Sequence, residues 1–151
     1  MFRKIFDNLP KSTVNPPLFK EDEIVPILKT IAERLRQANW IALMTMSGAH
    51  IQEILGLGDL DQDRVAAMSA AAMSLGDRII EELENGRLTY TIIAGKKGIL
   101  LFKPLNHQFL LTLNLWPDTA IDDILRHLEE SLPPLLSLIG VEQESEEAEE
   151  E

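Results

Sequence analysis

Residues 61–84 read DQDRVAAMSAAAMSLGDRIIEELE, the longest uninterrupted helical pattern in the chain. At ~100° per residue, Val65, Met68, Ala72, Leu75, Ile79 and Leu83 fall on one face. These are mostly large side chains, spaced to lie on a sheet. A flatter face carries Ala66, Ser69, Ala70, Met73, Gly76 and Ile80, which leaves Arg64, Ala67, Ser74, Arg78, Glu81 and Glu82 for water. A helix apolar over most of its circumference is buried on two sides. In a chain of 151 residues the second side calls for another chain. The flat face is therefore expected to meet a second copy, since small residues let helix backbones approach closely. The alternative is an alanine-rich surface helix, alanine being the best helix former. Met73 and Ile80 decide against it, because both are costly to leave in water.

Punctuation on either side of this helix sets the order of elements. Asp59 or Asp61 can cap its start, and Asn85-Gly86 ends it. Upstream, Ile24, Leu28, Ile31, Leu35 and Ala38 form the stripe of a first helix, with Pro26 fixing its start at Glu23 or Pro26 and Asn39 closing it. Residues 40–46 (WIALMTM) read as a buried strand, Ser47-Gly48 as a tight turn, and residues 49–55 as the returning strand. Downstream, three strands are expected over residues 87–94, 99–105 and 108–115, with turns at Gly95-Lys96-Lys97-Gly98 and Asn106-His107. Pro104 should lie outside the ladder. A last helix starts at Pro117-Asp118, with Ile121, Leu125, Leu128 and Leu132 as its stripe. It stops or kinks at Pro133-Pro134, and one more apolar turn follows to Gly140. The order helix-strand-strand-helix-strand-strand-strand-helix, with hairpin links, specifies an α+β fold. It is an α/β sandwich with a five-stranded antiparallel sheet and helices on its faces.

Composition is that of one globular domain, with 45% hydrophobic and 26% charged residues. Three regions follow: an extension over 1–19, a domain over 20–140 and an acidic tail over 141–151. The net charge is −11, but the last ten residues hold seven glutamates, and the rest of the chain carries only −4. Such a like-charge block is expected to be disordered. Residues 1–20 are basic through Arg3, Lys4, Lys11 and Lys20, and Phe2, Ile5, Phe6 and Leu9 recur there at helical spacing. A frayed terminus draping Phe2 and Phe6 over the domain is the expectation; contact with a membrane is the alternative. No cationic surface suits nucleic acid. With no cysteine there is no disulfide framework, and with no membrane-length apolar run or signal peptide the cytoplasm is the expected compartment.

The search for chemistry is negative. His50, His107 and His127 lack partners at metal-ligand spacing, so neither a metal nor a cofactor is expected. Residues 56–59 (GLGD) and 95–98 (GKKG) lack the spacing and context of a phosphate loop. Ser47 and Ser74 have no activating base, and no catalytic residue is assigned.

Residues 40–115 resemble the Roadblock / dynein light chain family. The resemblance rests on WIALMTMSGAHIQEILGLG as the hairpin pair, DRVAAMSAAAMSLGDRIIEEL as the alanine-rich central helix, and TYTIIAGKKGILLFKPLNHQFLLTLNL as the three-strand run. With the flanking helices it extends over residues 24–132. Family members usually carry an acidic residue before the hairpin glycine, where this chain has Ser47. The resemblance implies a non-enzymatic homodimer in which the central helices pack together and the third strands pair into one sheet. The interface set is then Ala66, Ser69, Ala70, Met73, Gly76 and Ile80 with Thr89 and Thr91 of the third strand. It further implies a regulator or scaffold of a Ras-like small GTPase, of the kind that sets cell polarity and motility in bacteria. Such a regulator can raise GTP hydrolysis without donating an arginine finger. The alternative is a small-molecule sensing or signalling module of PAS-like or profilin-like type, against which the Leu-, Ile- and Phe-rich strands offer few groups to orient a ligand.

Overall fold

The computed structural model describes residues 21–140. The expectations for the basic extension and the acidic tail lie outside the described residues. Within 21–140 the elements are α1 (Glu21–Arg34), β1 (Ala38–Thr45), β2 (His50–Ile54), α2 (Gln62–Glu82), β3 (Thr91–Gly95), β4 (Gly98–Pro104), β5 (Phe109–Leu115), α3 (Ile121–Ser131) and α4 (Pro133–Leu138). The strands form one antiparallel sheet in the order β2-β1-β5-β4-β3. The last strand in sequence is thus the central one, and β2 and β3 are the edges.

The sheet has a core on each side. Ile41 and Leu43 of β1, Leu111 and Leu113 of β5 and Leu101 of β4 face α1, α3 and α4, whose Ile24, Leu28, Ile31, Ile124, Leu128 and Leu135 complete the larger cluster. Trp40, Ala42, Met44, Phe102 and Leu110 face the other way, with Ala66 and Met73 of α2 among them. Strand alternation accounts for this division: neighbours along β1 and β5 serve opposite cores, so these two strands are apolar almost throughout. Thr112 is fully buried in the second layer and donates its hydroxyl to Met44 Sδ at 3.5 Å.

Several boundaries differ from the sequence expectation, each for a local reason. Helix α1 begins earlier, with Pro26 at its sixth residue. The N–H that proline lacks would have bonded to the carbonyl of Asp22, which is exposed and one turn from the helix end. The end of α2 is a Schellman motif in which Glu84, not a glycine, takes the left-handed position at φ 53°. Its N–H donates to Glu81 O at 3.0 Å, and that of Asn85 to Ile80 O at 3.0 Å. At the start, Asp61 is the cap, accepting from the Asp63 and Arg64 N–H groups at 3.1 and 3.3 Å. Helix α3 starts at Ile121, because Trp116–Ala120 forms a turn in which Thr119 donates to Trp116 O at 2.6 Å. Pro133 then opens α4, at a position where its missing N–H costs nothing.

Strand β3 begins at Thr91 rather than Arg87. The Leu105 N–H donates to Phe109 O of β5 at 2.9 Å. N–H groups alternate along a strand, so those of residues 98, 100, 102 and 104 point toward β3. The last of these is Pro104, which has none. The β3–β4 ladder stops there, and Lys103 Nζ instead donates to the Thr89 carbonyl at 3.0 Å. Pro104, expected outside the ladder, stays paired with Leu110 of β5, a side on which no N–H is required of it.

Candidate interaction surface

Helix α2 lies on the sheet by its flat face. Ala66, Ser69 and Met73 are the buried residues of the helix, and Ala70, Gly76 and Ile80 are partly covered. Met68, Leu75, Ile79 and Leu83 are 63%, 61%, 48% and 62% exposed. The two faces read from the sequence are therefore reversed: the large side chains point outward and the small ones inward. Volume explains it. The sheet surface under α2 already carries Trp40, Met44, Phe102 and Leu110, so a helix settling on them must bring small residues to reach interior packing density. A Cβ on Gly76 would stand 3.2 Å from Thr91 Oγ1 and 3.4 Å from Leu88 Cδ2, and one on Gly48 would stand 3.3 Å from Ala67 Cα. The small residues serve close approach within the chain. Ser69 satisfies its own hydroxyl by donating to Val65 O at 2.6 Å. Ala66, Ser69 and Met73, assigned to a partner chain from the sequence, are thus closed inside their own chain. Thr91 faces Gly76 of α2, while Thr89 is exposed beyond the end of the ladder.

Helix α2 reaches the sheet edge where Gly76 lies against Thr91 of β3, and that edge is bare. Ladder alternation turns the N–H and C=O groups of Thr91, Ile93 and Gly95 toward β4, and leaves those of Tyr90, Ile92 and Ala94 facing outward. Tyr90, Ile92 and Ile93 are 39%, 36% and 49% exposed. An edge of this kind, apolar and uncharged over its length, is a template for strand addition. Ile93 shares a face with Leu100, on the α2 side, while Ile92 and Ala94 share a face with Leu101 and Ile99, on the opposite side.

Comparison with known proteins places the fold in a family. A sequence model described as the Roadblock/LC7 domain matches residues 32–114, more than half of the chain. The chain belongs to the Roadblock/LC7 family. A comparison of the sequence with curated proteins returns no match. Among solved structures, Myxococcus xanthus MglB superposes with a TM-score of 0.72 at 12% identity, over 80% of this chain and 97% of that one. The gliding protein mglB of Thermus thermophilus gives 0.69 at 16% identity, over 84% and 98%. A Roadblock/LC7 domain from Streptomyces avermitilis gives 0.63 at 14% identity, over 74% and 95%. At these identities the likeness is one of fold, and it covers the helix-and-sheet body of this Roadblock/LC7 chain.

The loop entering α2 is held by a polar cluster that sequence spacing did not reveal. A bulge shifts the β1–β2 register between Leu43 and Met44, so that His50 pairs with Met44 and Glu53 with Ala42. Both side chains therefore face α2 although they are three residues apart. His50 Nε2 lies 4.0 Å from Glu53 Oε1, with the imidazole only 6% exposed. Glu53 Oε2 accepts the Leu57 N–H at 3.1 Å, which pins the loop. His50 Nδ1 is buried with no hydrogen-bond partner. Burial pushes the His50 pKa below its ordinary 6.5, against the opposing pull of Glu53 and Asp63. The unfolded chain then takes up a proton on His50 at a higher pH than the folded one. Stability contributed by neutral, buried His50 is present above about pH 6.5 and falls as the pH drops below it. The melting temperature should fall between about pH 7 and pH 5.5, and His50→Gln should flatten that fall, as thermal scans across the range would show.

No helix among the described residues is long and apolar enough to cross a membrane.

Proposed function

We propose that two copies of this chain pair through the outward stripe of α2 and the β3 edge, and that the dimer regulates or scaffolds a Ras-like small GTPase. What supports the pairing is the exposed stripe of Met68, Leu75, Ile79 and Leu83, on a helix whose Gly76 lies against Thr91 of an open, apolar edge strand. Covering one such side chain is worth about 1.5–3 kcal/mol, so a stripe left wet in both copies would be a large unmet stabilisation. A two-fold axis at Ile92 sets its outward groups against those of the partner's Ile92, and those of Tyr90 against the partner's Ala94. This makes a closed, isologous contact. The interface expected from the sequence thereby moves from Ala66, Ser69 and Met73 to the large residues one face round the helix.

The GTPase reading is supported by membership of the Roadblock/LC7 family and the fold likeness to two MglB proteins, one of them described as a gliding protein. A Ras-like GTPase hydrolyses slowly while its water-positioning residues are mobile, and a partner that fixes them supplies acceleration without chemistry of its own. Arg126 is held by Asp123 at 2.9 Å, and Arg34 lies 3.9 Å from Glu130. The expected behaviour is preferential binding to the GTP form, with any acceleration surviving each single Arg→Ala change and lost in the dimer-breaking variant Leu75→Glu. GTP turnover by a small GTPase encoded beside this chain, measured with these variants, is the assay. Loss of a large acceleration on one Arg→Ala change, with pairing and binding intact, would establish an arginine finger and refute the mechanism.

A further inference from the structure

A recess of about 400 Å³ opens where β5 passes into α3, lined by Gln37, Trp116, Pro117, Asp118, Thr119 and Ala120. Its central feature is a tryptophan that is 55% exposed and yet fixed. A register shift between Ala38 and Trp40 leaves Asn39 out of the β1–β5 ladder. The freed Asn39 side chain accepts the Trp116 indole N–H at 2.9 Å and donates to Asn114 Oδ1 at 3.2 Å. The Trp116 backbone N–H donates to Gln37 O at 2.9 Å, and its carbonyl accepts from Thr119. The polar edge of the ring is thus occupied, and what it offers to the recess is π surface. Asp118, on the same rim, is exposed and makes no hydrogen bond or ion pair with another described residue.

We propose that this recess binds a guanidinium group, presented as an arginine side chain by a peptide segment of a partner. A planar cation stacks on an indole face and is attracted by its quadrupole, and the Asp118 carboxylate on the same recess supplies the counter-charge. Arginine fits better than lysine because the guanidinium is flat, stacks on an aromatic face and pairs with a carboxylate through two parallel N–H groups. The positive end of α3 opposes a cation here, but Asp122 in its first turn offsets part of that field. The tether is preformed, so the ring loses little freedom on binding. The site does not depend on chain pairing, since all its residues come from one chain.

The test is a titration of the full chain with the blocked tripeptide acetyl-Gly-Arg-Gly-amide, against the same peptide carrying citrulline, its uncharged counterpart. Trp40 is buried at 6% exposure, so a ligand-dependent change in tryptophan emission reports Trp116. A saturable change is expected with arginine, about tenfold weaker with citrulline and roughly three- to tenfold weaker in Asp118→Asn. Asp118→Asn removes no contact within the fold. Trp116→Ala should abolish the amide shifts that the arginine peptide causes at Gln37, Thr119 and Ala120 in NMR spectra. Equal binding of the citrulline peptide, an unchanged affinity in Asp118→Asn, or no saturable change at all would overturn the proposal.

Discussion

Met73→Glu is expected to unfold the chain, whereas Leu75→Glu, two positions further on, should leave it folded and unpaired. Met73 is fully buried against the sheet, with Trp40, Ala42, Met44 and Phe102 in the same cluster. A glutamate there loses the methionine packing and strands a carboxylate in an apolar layer, a cost of about 4 kcal/mol or more. Total stabilities are only about 5–15 kcal/mol, so the urea midpoint should collapse. Leu75 is 61% exposed, and a charge there changes the stability of the single chain by no more than about 0.5 kcal/mol. In a pair of chains the same charge sits in the contact twice. Light scattering should report a monomer for Leu75→Glu, and circular dichroism a folded one. A folded, paired Met73→Glu would contradict the orientation of α2. A paired Leu75→Glu would remove the stripe from the interface.

Proline placed along β3 should have opposite consequences at adjacent positions. The Ile92 N–H points away from β4, so Ile92→Pro keeps the intrachain ladder and removes a donor only from the open edge. If two edges join at that strand, each copy loses a hydrogen bond and gains a clashing ring. Two-fold symmetry doubles both effects, which should weaken pairing by about a hundredfold or more. The Ile93 N–H points into β4, and Ile93→Pro should instead damage the fold, lowering the melting temperature by several degrees before association is considered. Sedimentation at a series of protein concentrations separates the two. Equal pairing of Ile92→Pro and wild type would show that the edge stays unpaired and that any dimer uses the helices alone.

The order of helices and strands was legible because short-range signals mark it. Gly48 takes φ 97° between β1 and β2, Asp61 caps α2, and Pro133 divides the last helical stretch. The orientation of α2 was not legible. Periodicity separates two faces of a helix but does not say which one the sheet takes when both are apolar. That choice depends on the volume of Trp40, Met44, Phe102 and Leu110, which the fold gathers from three strands. The first half of the expected third strand was lost to Pro104, remote in sequence and adjacent only across the ladder. The His50–Glu53 contact needed a bulge that spacing could not reveal. Trp116-Pro117-Asp118, an aromatic, a proline and an acid at a strand-to-helix junction, carries a signal in the sequence that a helix start alone does not exhaust.

The place of β5 in the middle of the sheet has a consequence for the newborn chain. β1 and β2 form one hairpin and β3 and β4 another, each from neighbouring stretches of sequence, but only β5 joins them. A chain that has emerged as far as Pro104 holds two ribbons with no shared core, and α2 between them with no completed surface to lie on. The larger cluster likewise waits for Ile124, Leu128 and Leu135, which arrive later still. Folding is thus deferred until β5 has emerged, because the contacts that close the sheet join its first strand to its last. For that interval the sticky residues of both faces of α2, not only the outward stripe, are open to other chains, and nascent neighbours on one message are the nearest of them.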